Sequence, residues 1–186
     1  MILFGELYFF VCAGLLLIPA LVLGIMEKPI KYYGFFVTIV FILLALWNKP
    51  TEIFYMAGYL IFQFIIITLF LRIRQAKGRT RCWFWTFITL SLAPLVLYKI
   101  AGLFEISILG FMGISYMTFK SLQVIIEIHD GLIKECKPFE FIYFLTFFPA
   151  VLSGPIDRSR RFNEDLALVR PREQYLDLVG AGLFKI

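Results

Sequence analysis

The chain reads as an all-α, polytopic membrane helix bundle, incomplete, with one short re-entrant or broken segment. Three observations predict this. Of its 186 residues, 61% are hydrophobic and only 17% charged, against roughly half and a quarter in a soluble domain. Its 22 Phe and 9 Tyr exceed what one small water-facing core can hide, because a domain of this size leaves much of its surface in water. The apolar residues also fall into successive runs, most of them close to the ~20 residues that cross ~30 Å of hydrocarbon.

The first run, 4–25, carries Pro19 near its end as a kink site. It contains Glu6 and lacks the basic start of a cleaved signal, so it reads as a retained span. The second, 30–47, is short and reaches the interfaces by borrowing Ile30 and the flanking Lys28 and Lys31. The third, 53–71, has Gln63 as its one strongly polar side chain, and the fourth, 83–104, contains Pro94 and Lys99. The fifth, 106–126, is apolar except for a polar set around Lys120. The sixth, 139–152, starts beside a glutamate and meets Pro149 before the Ser153-Gly154-Pro155 break. It is too short for a full crossing and suits a re-entrant or broken segment. An amphipathic tail, 163–186, follows from Asn163 as N-cap; Pro171 interrupts it, and Tyr175, Leu176, Val179, Leu183 and Ile186 mark its apolar side.

Charge sets the orientation. Arg72, Arg74, Lys77, Arg79 and Arg81 crowd the connection after the third run, which is therefore cytoplasmic. Counting crossings puts the N-terminus outside and the 130–137 connection inside. A sixth full crossing would carry Arg158, Arg160 and Arg161 outside, against the same rule, whereas re-entry keeps them inside. The net charge of +5 reports topology and anionic headgroups rather than nucleic acid. Cys12, Cys82 and Cys136 show neither CxxC nor metal-ligand spacing, so no disulfide framework or metal site is expected. His129, in Glu-Ile-His-Asp-Gly, reads as a helix-end or interfacial histidine, because side chains adjacent in sequence point in different directions.

Polar groups at membrane depth are costly and invite a functional reading. Glu6 and Lys99 lie near span ends and can snorkel. Ser115, Tyr116, Thr118, Lys120 and Gln123 gather polarity on one side of the fifth helix, facing protein or water. Two readings of them stand: helix-to-helix hydrogen bonding, or the wall of a polar cavity. Two readings also stand for Arg158, Arg160 and Arg161 after the Gly154-Pro155 turn: anchors against anionic lipid, or a clamp for phosphate or carboxylate at the cavity mouth.

Three blocks then coincide: LAPLVLYKI (92–100), LGFMGISYMTFKSLQVIIEIHDGLIKE (109–135) and FFPAVLSGPIDRSRRF (147–162). Together they resemble the membrane-bound O-acyltransferase family, and within it the D-alanyl transfer branch of Gram-positive bacteria. The likeness runs over essentially the whole chain but covers only the N-terminal part of a longer protein. It implies a multi-pass bundle around a funnel in the cell membrane. It also implies a donor, D-alanyl-phosphopantetheine on a small acidic acyl carrier protein at the cytoplasmic face, an acceptor in lipoteichoic acid, and no bound cofactor. Other membrane proteins of the D-alanylation system are implied partners. By this resemblance Gly154, Pro155, Arg158, Arg160 and Arg161 lie on the carrier's side. The family's catalytic histidine belongs to a later apolar segment, so no catalytic residue is expected in this chain, the role does not pass to His129, and the chain is expected to be inactive alone. Acyl transfer needs a base and oxyanion donors. The alternatives are a non-catalytic membrane docking protein, or part of a transporter, which would show an internal repeat or paired intramembrane charges.

Overall fold

The computed structural model describes residues 7–47, 49–103, 110–111, 113–150 and 158–183, and among them there are helices and no strands. The helices are α1 (Leu7–Ile25), α2 (Lys31–Ala45), α3 (Pro50–Lys77), α4 (Arg81–Leu103), α5 (Ile114–His129), α6 (Pro138–Thr146), α7 (Ser159–Ala167) and α8 (Arg172–Leu183), with a 3-10 turn over Phe148–Ala150. By length and composition α3 and α4 are apolar enough to cross a membrane. The 28 residues of α3 rise by ~42 Å at ~1.5 Å each, more than the hydrocarbon requires. The architecture is an all-α membrane helix bundle.

The chain divides into two compact units, 1–41 with 164–186, and 42–163, so that the boundaries fall within α2 and α7. In the first unit α1 packs against α8. A Cβ built on Gly24 would fall inside the ring of Tyr175, so only glycine lets that ring lie on α1. Tyr33 donates to the Leu16 carbonyl at 2.7 Å and ties α2 to α1. Glu27 has φ 55°, and its carboxylate accepts the backbone N–H of Arg172 at 2.9 Å. It thereby satisfies a donor that the first turn of α8 leaves open.

In the second unit α3, α4 and α5 pack on one another, and α6 lies against α5 and α3. The interior is apolar and aromatic: Ile67, Met117, Ile125 and Ile128 are fully buried, and the rings of Phe70 and Phe87 meet at 5.1 Å. A buried polar chain runs through it. Ser91 donates to Gln63 Oε1 at 2.8 Å, and Gln63 Nε2 donates to the Ser91 carbonyl and the Tyr59 hydroxyl, both at 3.0 Å. Thr118 spends its proton on the Ile114 carbonyl at 2.7 Å, so Tyr59 is the donor in its 2.8 Å contact with Thr118. Every donor in this series finds an acceptor, and three helices are joined by it.

The α5 terminus explains the Glu-Ile-His-Asp-Gly stretch. Gly131 N–H bonds the Ile128 carbonyl at 3.0 Å and Leu132 N–H bonds that of Glu127 at 2.9 Å, the paired closure that needs a left-handed residue after the helix. Gly131 supplies it at φ 79°, and the nearest atom to a Cβ there, Arg74 Nη2, is 3.8 Å away. Gly131→Ala therefore meets no clash but pays the left-handed penalty, about 1–2 kcal/mol. Thermal unfolding in detergent should show that loss.

Two expectations are corrected here. The fifth helix does not fill 106–126: it starts at Ile114, after Gly113 at φ 92°, and runs on to His129. Gly110 lies so close under the Tyr98 ring that a Cβ has no room, and two glycines there hold the approach out of helix; 106–109 lie outside the described residues. Asn163 is not an N-cap but sits inside α7, which begins at Ser159. The Ser159 hydroxyl has a buried partner and Phe162 a buried ring site, so the helix starts where these side chains are held. The 163–186 tail is thus the end of α7, a break, and α8.

Candidate functional site at the junction of α5, α6 and α7

Residues spaced 116, 120, 123 and 127 share one face of a helix, and 114, 118, 121 and 125 share the next. The predicted polar set is therefore split. Thr118 turns to α3 and joins the Tyr59 and Gln63 chain. Lys120 turns to α6: only 2% exposed, it donates from Nζ to the Phe144 carbonyl at 2.7 Å, with the rings of Tyr116 and Phe144 each 5.0 Å from Nζ. Ser115 and Gln123 are half-buried, and Gln123 Oε1 and Ser121 Oγ are buried without a hydrogen-bond partner among the described residues.

The Lys120 contact has a clear cause. α6 has 9 residues, ~14 Å of rise, and Phe147 at ψ 108° ends it. Its last carbonyls lack partners within the helix, and a cation at a helix C-terminus is favoured by the dipole. Two turns further along the stripe, Glu127 is 5% exposed and its Oε2 accepts from the Ser159 hydroxyl at 2.7 Å. Phe162 then inserts among Phe147, Tyr143 and Phe144, with ring centroids at 5.0, 5.4 and 5.5 Å. The chain that leaves α6 therefore comes back to it. Arg158, Arg160 and Arg161 are exposed around the start of α7, whereas Gly154 and Pro155 lie outside the described residues.

On the side predicted to be cytoplasmic, the end of α3 is fastened to the loop after α5. Arg74 Nε donates to the His129 carbonyl at 3.2 Å, Gln75 to that of Lys134 at 2.9 Å, and Arg79 pairs with Asp130 at 3.1 Å. His129 closes α5 with its ring 4.3 Å from that of Phe84; its Nε2 is buried without a partner among the described residues. Burial, aided by the Glu140 carboxylate, pushes the Cys136 thiol up to about 11. A raised value keeps the thiol protonated, and the thiolate is the reactive form. With Cys12 and Cys82 replaced by serine, iodoacetamide alkylation of Cys136 should be slow at neutral pH, rise about tenfold per pH unit as the thiolate fraction grows, and level off only near pH 11.

Sequence reasoning missed Glu127, Ser159 and Phe162. The signal was present: Glu127 falls on the same helical stripe as Tyr116, Lys120 and Gln123, and a carboxylate in an apolar helix requires a partner.

These features define a class: a membrane helix bundle with a buried lysine and a buried glutamate on one helix, and three exposed arginines at the start of a helix that packs on a nine-residue neighbour. Comparison with known proteins narrows it. The chain is 34% identical over 192 residues to a teichoic acid D-alanyltransferase of Bacillus subtilis (strain 168), covering 98% of this chain and 48% of the relative. It is 34% identical over 180 residues to that of Streptococcus thermophilus, covering 95% and 43%. With that of Lacticaseibacillus rhamnosus the identity is 39% over 130 residues, covering 68% and 32%. No family model matches. The chain belongs to the teichoic acid D-alanyltransferase family, and it spans about half the length of the curated relatives it matches.

Proposed function

We propose that this chain is the N-terminal section of a multi-pass membrane acyltransferase that takes D-alanine from the phosphopantetheinyl thioester of an acidic carrier protein and passes it toward lipoteichoic acid. In that reaction the D-alanyl carbonyl carbon leaves sulfur for an acceptor hydroxyl oxygen, and the hydroxyl proton ends on the released thiol. The base and the oxyanion donors that this step requires belong, in this reading, to the other half of the protein. The part given to residues 1–186 is to dock the donor. Arg158, Arg160 and Arg161 form the rim that meets the carrier's acidic surface or its phosphate, as clustered guanidinium groups do, and the α5 stripe forms the wall behind it. The segment 139–152 is read as re-entrant, since a helix as short as α6 falls well short of the ~30 Å hydrocarbon and the Phe147 and Phe162 rings meet at 5.0 Å.

The observation that carries this reading is the likeness to teichoic acid D-alanyltransferases along 98% of the chain. Its test is complementation. Residues 1–186 are fused in place of the matching half of the Bacillus subtilis relative, in a strain lacking that relative, and ester-linked D-alanine on teichoic acid is measured. Restored D-alanine is expected. A fusion that accumulates in the membrane and restores none would overturn the reading, and one that restores D-alanine yet is indifferent to Arg158, Arg160 and Arg161 together becoming glutamine would remove the docking role.

A further inference from the structure

We propose that Glu127 is a positioning residue for partner docking: through Ser159 it fixes the start of α7, and so holds Arg158, Arg160 and Arg161 as one array at the site of an acidic partner. This rests on the reading of those arginines given above and adds what sets their geometry.

Three guanidinium groups within four residues repel one another, and the N-terminal end of α7 adds partial positive charge of its own. Beneath them the structure puts a buried carboxylate, 5% exposed, whose Oε2 takes the hydroxyl proton of Ser159 at 2.7 Å. A hydrogen bond to a charged acceptor is among the stronger kinds, and the negative charge offsets the positive end of α7. Ser159 is itself buried and stands between Arg158 and Arg160, so fixing it fixes its neighbours. One turn later Phe162 closes against Tyr143, Phe144 and Phe147. The helix is held at two points on one side, Ser159 and Phe162, which leaves Arg160 and Arg161 on the other, with Arg158 directly before its first turn. Glu127 sits on α5, two residues before that helix ends at His129, and α5 is locked to α3 by Thr118 and Tyr59 at 2.8 Å. The array is thereby referred to the rigid part of the unit.

The experiment uses inside-out membrane vesicles carrying the chain, digested briefly with trypsin, with peptides ending at Arg158, Arg160 and Arg161 quantified by mass spectrometry. Glu127→Ala and Ser159→Ala should raise cleavage at these sites on the order of tenfold, the worth of one charge-assisted hydrogen bond, while cleavage at Lys77 and Lys134 stays unchanged. Ser159→Thr, which keeps the hydroxyl, should return cleavage to the wild-type rate. In the transferring fusion, the same alanine variants should raise KM for the charged carrier severalfold with little change in kcat. Unaltered cleavage in both alanine variants would overturn the inference. Increased cleavage with an unaltered KM would leave the pinning of α7 in place and overturn the docking role assigned to the arginines.

Discussion

Lys120→Glu should abolish accumulation of the folded chain in membranes. Lys120 is only 2% exposed and its ammonium lies 2.7 Å from the Phe144 carbonyl, with two ring faces 5.0 Å away. A glutamate there brings a carboxylate against a carbonyl and against the negative end of α6, with π faces that repel it as well. Breaking a buried charge arrangement costs about 3–5 kcal/mol, a large part of the ~5–15 kcal/mol that holds a domain together. Lys120→Met should do less, about 1–3 kcal/mol, because it removes the charge and leaves one carbonyl unpaired. The monodisperse fraction after detergent extraction, with its melting temperature, checks both. A glutamate variant that elutes and melts like the wild type would show that Lys120 does not cap α6.

Gln63→Leu should cost about 2 kcal/mol or more. Within membranes one interhelical hydrogen bond averages ~0.6 kcal/mol and reaches ~1.7, and Gln63 makes its contacts with Tyr59 and Ser91 through both ends of its amide. Leucine fills the space but strands the Ser91 hydroxyl, fully buried. Ser91→Ala alone should cost less, and the Gln63→Leu, Ser91→Ala double variant less than the sum, since the second change removes the group the first leaves unpaired. Thermal unfolding of the four proteins closes the cycle. Strict additivity would mean that the two side chains do not share a bond.

The helices α3 and α4 were legible because lipid imposes a length and an apolar composition that residues 53–71 and 83–104 meet openly. Sequence alone also showed that Gln63 sits isolated in an apolar run. What it could not supply was the partner, since Ser91 and Tyr59 are ordinary residues until the crossing of α3 and α4 brings one of them to the amide. The α5 stripe was half visible: the polar residues were recognised, but helical spacing alone does not say that Thr118 and Lys120 serve different neighbours. The start of α7 was misread because Asn163 is a good capping residue by type, whereas the actual boundary is set by Glu127 and by the rings around Phe162. Neither is local in sequence.

The links of α3 to α5 have a mechanical meaning. Tyr59 grips α5 through Thr118 at 2.8 Å, and Arg74 grips its last carbonyl, on His129, at 3.2 Å, ~22 Å further along α3 by helical rise. One clamp on a rod still permits it to spin or slide. Two clamps at separate heights forbid both. The pair therefore works as a stator: α3 and α5 move as one piece, and the buried polar ties of α6 and α7 to that piece are the Lys120 and Glu127 contacts.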